Sequence, residues 1–446
     1  GDHRYLHCSP TRRSSDLLQQ LPPAVIDKLT TEKPTYEWLQ QLPKTDLHCH
    51  FGGILDTAGL VRVAMSTQQQ VIQTLSENSD FSAWYSSICI AVKQKEEYYL
   101  QPYLNDKNKL RIELFPTLPK PLVVCAFIMA FAQDVAYLDS LIFGDCVESE
   151  KFQHVGIERY EKLGDLQGSA LLQSEATIRA ACVYLKQYCK EHNLKYLELR
   201  CSPCNYTFGG LNESAVVKIM HSELHGFEAC DIRLIVIGSR HGDMEIFKRH
   251  VQLTQQLLND KKYKNFVVGF DVAGNEKVAK PKELRSLLLP LLEKCLHLTI
   301  HAGENEPVSN IWEAVYELNT DRIGHGLTLV DSMELLERIK DRKIVIELCP
   351  SSNLQICDYS QKAYPLKQYL QAGLKVTLNT DNPGISRTDI TNEYWQMAER
   401  EGLTKMEILY LLRNSFQGIF LPKDTKKQLI IKIEEELHTI IASDNK

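Results

Sequence analysis

The chain has 446 residues, a net charge of −6 and 43% hydrophobic residues, which is ordinary for a soluble enzyme with a large core. It carries no single-sign block long enough to form a charged tail, so nucleic acid and an anionic membrane are poor partner candidates. The longest apolar run, residues 122–132, is too short to cross a bilayer, which requires about 20 residues. The thirteen cysteines are scattered, so we expect buried, reduced thiols and a cytoplasmic protein.

The predicted fold begins after the first residues of the chain. Residues 1–17 lack a starting Met and an apolar signal core, and we expect them to be an artefactual or disordered segment. Residues 18–446 are expected to form a single domain. It opens with a helical lead-in over residues 18–43, a first strand at Thr45–His50 and a helix over Asp56–Met65.

A long helical segment is predicted directly after this first part. Residues 66–191 show no strong strand-like alternation and carry amphipathic patterns such as the one over Ala170–Tyr188. The segment is too long for a simple connection between two elements. We therefore expect a helical insertion between the first and second strands that covers one side of the site.

Beyond residue 191, apolar strand-like segments alternate with helical stretches. Together with the first strand they give eight strands, a pattern that favours a closed parallel (β/α)8 TIM barrel over a doubly wound sheet. The predicted class is therefore α/β, a barrel with a helical insertion after the first strand. The later strands are predicted at Tyr196–Arg200, Arg233–Gly238, Phe266–Val272, Leu296–His301, Arg322–His325, Ile344–Cys349 and Lys375–Thr380.

Polar residues occur at the C-terminal ends of these strands, the face that carries the catalytic groups of barrel enzymes. His48 and His50 are one residue apart, so both side chains point to the same side of the first strand. His301 ends the fifth strand and Asp381 follows the eighth. Three imidazoles and one carboxylate form a donor set that suits zinc, or less well iron or manganese, and leaves room for a water.

Two further side chains at strand ends could take part in chemistry beside such a metal. Glu304, three residues after His301, could donate a proton to a substrate heteroatom without binding the metal. His325 is flanked by glycines that allow close approach, and it could orient an activated water. The whole set predicts metal-assisted hydrolytic attack on an electrophilic carbon.

A series of sequence motifs, read in chain order, resembles the adenosine deaminase family of the amidohydrolase superfamily. These motifs extend over residues 44 to about 395, and together they are specific to the family. They are Asp46–His50, Leu197–Arg200 with Ser202 and Pro203, Gly269–Glu276, His301–Glu304, Arg322–Gly326, Glu347–Pro350 with Ser352 and Asn353, and Leu378–Asp381.

The resemblance implies a function for each of the candidate residues. Glu304 would protonate N1 of a purine, His325 and Asp381 would hold the hydroxide that attacks C6, and the backbone N–H of Gly274 would bind N3. The implied reaction converts adenosine or deoxyadenosine to the inosine product and releases ammonia. One zinc ion per chain would be bound by His48, His50, His301 and Asp381.

Two positions depart from the pattern of the family and affect the expected substrate. Gly52 stands where the family commonly has an acidic residue near the 5′ end of the sugar. Asn382 stands where a second aspartate commonly faces N7, and an Asn amide can donate to that acceptor. Adenine, AMP or a modified adenosine are therefore alternative substrates. An inactive barrel that serves as a binding or scaffold protein is a further alternative, although every expected metal ligand and Glu304 are present.

Overall fold

The computed structural model describes residues 21–95, 117–164, 168–240, 243–359 and 362–444. The segment 1–17, which we expected to lie outside the fold, is not among the described residues, nor is part of the predicted insertion. Within these described ranges, no helix is long and apolar enough to cross a membrane.

Eight parallel strands form one sheet in which each strand pairs with the next along the chain. This order confirms the predicted (β/α)8 barrel. The strands are β1 (Lys44–His50), β2 (Leu194–Cys201), β3 (Asp231–Ser239), β4 (Val267–Ala273), β5 (His297–Ala302), β6 (Arg322–His325), β7 (Val345–Leu348) and β8 (Lys375–Leu378).

The ring of strands closes at three of the predicted metal ligands. The N–H of Asp381, beyond the end of β8, donates to the His48 carbonyl of β1, and the His50 N–H donates to the Asp381 carbonyl, both over 2.7 Å. These two bonds form a parallel bridge between Cys49 and Asp381. The fold therefore brings together side chains that are more than 300 residues apart in the chain.

Two strands end earlier than the sequence predicted. β7 ends at Leu348 because Cys349 already caps the following helix. β8 ends at Leu378, and the Asn379 side chain takes over part of the pairing, since its Oδ1 accepts the Leu47 N–H over 3.0 Å. β8 ends before the turn that carries Asp381 because a side-chain amide replaces the backbone hydrogen bond at this point.

Charged side chains fill part of the barrel interior. Arg200 Nη1 lies 2.9 Å from Asp271 Oδ2, and its Nη2 also contacts Glu347. Arg322 contacts Glu198, and its Nε lies 2.6 Å from Glu347 Oε1. All five side chains are at most 1% exposed. The contacts of Arg200 with Asp271 and Glu347, and that of Arg322 with Glu198, join strands that are not neighbours in the sheet, so these side chains must point inward.

The regular elements described between β1 and β2 are helical, as the sequence predicted for this segment. The helix Thr57–Met65 begins after Asp56, whose carboxylate accepts the Gly59 N–H over 2.6 Å, as an N-cap does. The helices that precede β2 are Pro23–Thr31, Tyr36–Gln41, Thr57–Met65, Gln68–Glu77, Ser79–Gln94, Lys120–Met129, Val135–Phe143, Ile157–Leu163, Gly168–Leu171 and Glu175–Glu191.

Helices also follow each later strand and pack around the barrel. They are Glu213–Leu224 after β2, Met244–Asn259 after β3, Pro281–Leu292 after β4, Val308–Tyr316 after β5 and Met333–Arg342 after β6. Pro350–Ile356 and Leu366–Ala372 follow β7, and Pro383–Ser386, Ile390–Glu401, Lys405–Gly418 and Lys423–Asp444 follow β8.

Candidate active site

Three imidazoles from two strands converge at the C-terminal end of the barrel. His48 Nε2 lies 3.1 Å from His301 Nε2 and 3.2 Å from His50 Nε2. Asp381 Oδ1 lies 3.2 Å from His50 Nε2 and 3.7 Å from His48 Nε2. The four side chains predicted as metal ligands thus lie around one point.

The surroundings of these imidazoles suit a divalent metal. Carboxylates bind the ring nitrogens that face away from the centre: His48 Nδ1 lies 3.1 Å from Glu347 Oε2, and His301 Nδ1 lies 3.0 Å from Asp271 Oδ1. Such bonds place the proton on Nδ1 and leave the Nε2 lone pair for a metal. Burial also holds the pKa values of His48 and His50 well below the usual range. The rings are therefore neutral, which is the form that binds a metal.

Arg200 holds both of the carboxylates that orient these rings. Besides contacting Asp271 and Glu347, its guanidinium donates to the Leu47 carbonyl over 3.0 Å. No function was predicted for Asp271, Glu347 or Arg200, although each lies within a predicted strand. The sequence does show three charged residues within apolar strands. Because an unpaired buried charge is costly, this pattern could have indicated that they pair with one another.

Replacing Arg200 by Met is expected to destabilise the fold by roughly 3–5 kcal/mol, because two buried carboxylates lose their shared cation. A shift in the midpoint of urea unfolding, followed by circular dichroism, measures the effect. Arg249→Met is the matched control, since the Arg249–Glu213 pair is partly exposed and such pairs contribute about 0–1 kcal/mol. Equal midpoints for the two variants would contradict this interpretation of the network.

Glu304 follows β5 and is held by a second glutamate. The Glu276 carboxylate accepts the backbone N–H groups of Gly303 and Glu304 over 2.9 and 3.0 Å, and the Asn310 side chain over 3.0 Å. Burial, and then the nearby charges of Asp381 and Glu276, raise the pKa of Glu304 well above its usual value. The site therefore favours the protonated form of Glu304. The position of Glu304 after the fifth strand predicted its role as an acid, whereas no role was predicted for Glu276.

His325 is oriented by the Asn353 amide. Asn353 Oδ1 accepts the Cys349 N–H over 3.2 Å and the Tyr364 hydroxyl over 2.9 Å, so Nδ2 is the atom that faces His325 Nδ1 over 2.9 Å. Nδ1 is then an acceptor, and the proton of the neutral ring lies on Nε2. His325 also has a φ of 64° and Asp381 a φ of 60°, a left-handed conformation that is uncommon for non-glycine residues.

Asp381 is fixed by two side-chain donors. Ser352 Oγ donates to Asp381 Oδ2 over 2.7 Å, and Asn382 Nδ2 donates to Oδ1 over 2.8 Å. A Cβ on Gly53 would lie 2.2 Å from Asn382 Oδ1. A glycine is therefore needed where the loop after β1 meets the loop after β8.

A cavity of about 700 Å³ opens above these groups, a volume suited to a small organic ligand. Its inner surface includes His50, His301, Glu304, His325 and Asp381, whereas His48 is fully buried behind them. The predicted substrate contacts Gly274 and Asn382 also line it, together with Gly52. Helix Ile157–Leu163, which belongs to the segment between β1 and β2, also lines the cavity. No sequence motif predicted this contribution of the helix.

Comparisons with known proteins agree with this arrangement. Two solved structures have a similar fold: an amidohydrolase from Burkholderia ambifaria with bound Zn (19% identity, TM-score 0.61, 93% of this chain and 97% of that chain) and the N6-methyl-AMP deaminase from Arabidopsis thaliana (20% identity, TM-score 0.62, 90% and 98%). The adenosine deaminase of Enterococcus faecalis is 33% identical over 268 residues, which cover 59% of this chain and 78% of the relative. The adenosine deaminase family model matches residues 146–436, about two thirds of the chain. This match confirms the resemblance seen in the motifs: the chain belongs to the adenosine deaminase family.

Proposed function

We propose that this protein is a metal-dependent hydrolase that converts adenosine or deoxyadenosine to the inosine product and releases ammonia. The observation that carries the proposal is the convergence of three imidazoles and Asp381 beside Glu304, a buried carboxyl group whose pKa is raised well above its usual value. The name of the relative from Enterococcus faecalis supports adenosine as the substrate.

We propose one zinc ion per chain as the metal. Its ligands would be the Nε2 atoms of His48, His50 and His301 and the carboxylate of Asp381. The donor set and the neutral rings support this choice, as does the bound Zn in the amidohydrolase of similar fold. When bound, zinc supplies a nucleophile at neutral pH by lowering the pKa of water towards about 7.

The residues of the chain then divide the proton transfers. Glu304 donates its proton to purine N1, which draws electrons from C6 and makes that carbon more electrophilic. His325 donates its Nε2–H to the oxygen that attacks C6, and Asp381 accepts the proton that this oxygen releases. Asp381 passes the proton that it accepted to the amino group, and the C6–N bond breaks as ammonia leaves. The remaining proton of the attacking oxygen returns to Glu304 as the C6 carbonyl forms, so water and the aminopurine yield the oxopurine and ammonia.

Two residues are proposed to hold the purine ring. The backbone N–H of Gly274, which lines the cavity, would bind N3. Asn382 Nδ2 uses one hydrogen for Asp381, and its second hydrogen can donate to N7 because an amide nitrogen carries two.

The absence of a side chain at Gly52 favours a second candidate activity. This residue lines the cavity without a polar group for a sugar, so deamination of adenine, AMP or a modified adenosine is the alternative. Ammonia release from adenosine, deoxyadenosine, adenine, AMP and an N6-methyl derivative, ranked by kcat/KM, separates these candidates. We expect the two nucleosides to rank highest. A folded protein inert towards all five would instead favour a scaffold.

The small aminopurine is the proposed partner.

The cysteines bear on the location of the protein. The described cysteines are free thiols, the state that persists in a reducing compartment. We therefore place the reaction in the cytoplasm.

The raised pKa of Glu304 predicts a pH dependence. The protonated carboxyl is the active form, so activity is present below this pKa and is lost as the pH rises through it. Because burial raises the pKa of Glu304, the alkaline fall in kcat/KM should lie well above the pH at which an ordinary glutamate loses its proton. A fall centred near about pH 4.3, the ordinary glutamate value, would contradict the assignment.

A further inference from the structure

One helix places charge of a single sign at the cavity. In Ile157–Leu163, Glu158 and Glu161 line the cavity, whereas Arg159 and Lys162 of the same helix do not. Arg159 instead pairs with Asp145, outside the cavity. The helix therefore presents its two acidic residues to the cavity, whereas its two basic residues lie outside the cavity.

The rest of the lining adds to this negative charge. Lys277 is the one lysine or arginine among the described lining residues, and its Nζ lies 3.5 Å from Glu306 Oε1 with 73% of the lysine side chain exposed. The Glu161 carboxylate also contributes to the raised pKa of Glu304, so its field reaches the catalytic acid. Besides the protonated acid Glu304, the acidic lining residues are Glu158, Glu161, Glu276, Glu306 and Asp381.

This charge matters for the end of the substrate that carries the sugar. A phosphate monoester has a charge of about −1.5 to −2 at pH 7, and proteins bind it with arginine, lysine or helix N-termini. Carboxylates repel it but accept hydrogen bonds from sugar hydroxyls. Gly52, which lines the same cavity, contributes no side chain to it.

On the basis of the proposed deaminase function, we propose that Glu158 and Glu161 are specificity residues that select an uncharged nucleoside over the corresponding 5′-nucleotide. They disfavour the phosphate through like charge and favour the sugar through its hydroxyl groups. The two residues belong to the segment between β1 and β2, so this segment would determine which substrate enters the barrel.

The test compares adenosine with AMP in the unmodified protein and in the double variant Glu158→Gln, Glu161→Gln. We expect the unmodified protein to favour adenosine by at least about 100-fold in kcat/KM. The double variant should narrow this ratio by about tenfold or more, mainly through a lower KM for AMP. At 0.5 M salt, the adenosine-to-AMP ratios of the unmodified protein and the double variant should differ less. Salt screens the repulsion between the acids and the phosphate in the unmodified protein.

The matched control is Glu148→Gln, Glu150→Gln, which removes equal charge from exposed positions outside the cavity. Its adenosine-to-AMP ratio should equal that of the unmodified protein. Preference for AMP in the unmodified protein, or an unchanged ratio in the cavity variant, would overturn the inference and leave the deaminase function standing. Failure to release ammonia from both compounds would overturn the adenosine activity and the inference together.

Discussion

Replacing Glu304 by Gln is expected to lower kcat for adenosine by roughly 100- to 10,000-fold, the contribution of a general acid, while the metal content stays unchanged. The amide keeps the size of the side chain but has no acidic proton to give to purine N1. Glu304 is not one of the four proposed ligands, so the change should leave the metal site in place. Initial rates of ammonia release, with metal measured by mass spectrometry on the same samples, test both parts of the prediction.

Glu293→Gln is the control for this variant, because Glu293 is exposed at the end of helix Pro281–Leu292 and does not line the cavity. It should keep both turnover and metal. Near-normal turnover in the Glu304 variant would refute the acid role. Loss of metal from that variant would mean that Glu304 takes part in metal binding.

Replacing His301 by Ala is expected to remove the metal as well as the activity. The variant deletes one of three converging imidazoles and leaves the Asp271 carboxylate without its ring partner. Loss of an outer partner of a ligand typically weakens metal binding about 10- to 100-fold, so loss of the ligand itself should exceed that range. Metal content after dialysis and ammonia release should fall together.

His297→Ala is the matched control, because it removes an imidazole from the opposite end of the same strand, where the side chain is 48% exposed. It should retain metal and turnover even if it costs some stability. Full metal content in the His301 variant would contradict the proposed ligand set.

The sequence predicted the features that depend on local pattern. His48 and His50 share one face because strand side chains alternate. β4 could be recognised as a nearly continuous apolar run, and all seven of its residues are buried in the structure. The barrel followed from the alternation of strands and helices. His301, Glu304, His325 and Asp381 could be identified because each lies at or just beyond the end of a predicted strand.

The sequence could not show which distant side chains pair. Arg200 contacts Glu347 across 147 positions, and that pairing depends on the register of strands that are not neighbours. The early end of β8 depends on the Asn379 amide, which replaces backbone pairing with Leu47. Helix Ile157–Leu163 lies in a segment that carries no motif, so its position at the cavity depends on tertiary packing alone.

The metal dependence of deamination tests the central proposal most directly. Purified protein is analysed for bound metal and for ammonia and inosine formed from adenosine, before and after removal of the metal by a chelator. The proposal predicts about one zinc ion per chain, equal amounts of ammonia and inosine, loss of both products on chelation and their recovery when zinc is added back. Undiminished deamination by metal-free protein, or zinc-loaded protein that releases no ammonia from any of the five aminopurines, would contradict it.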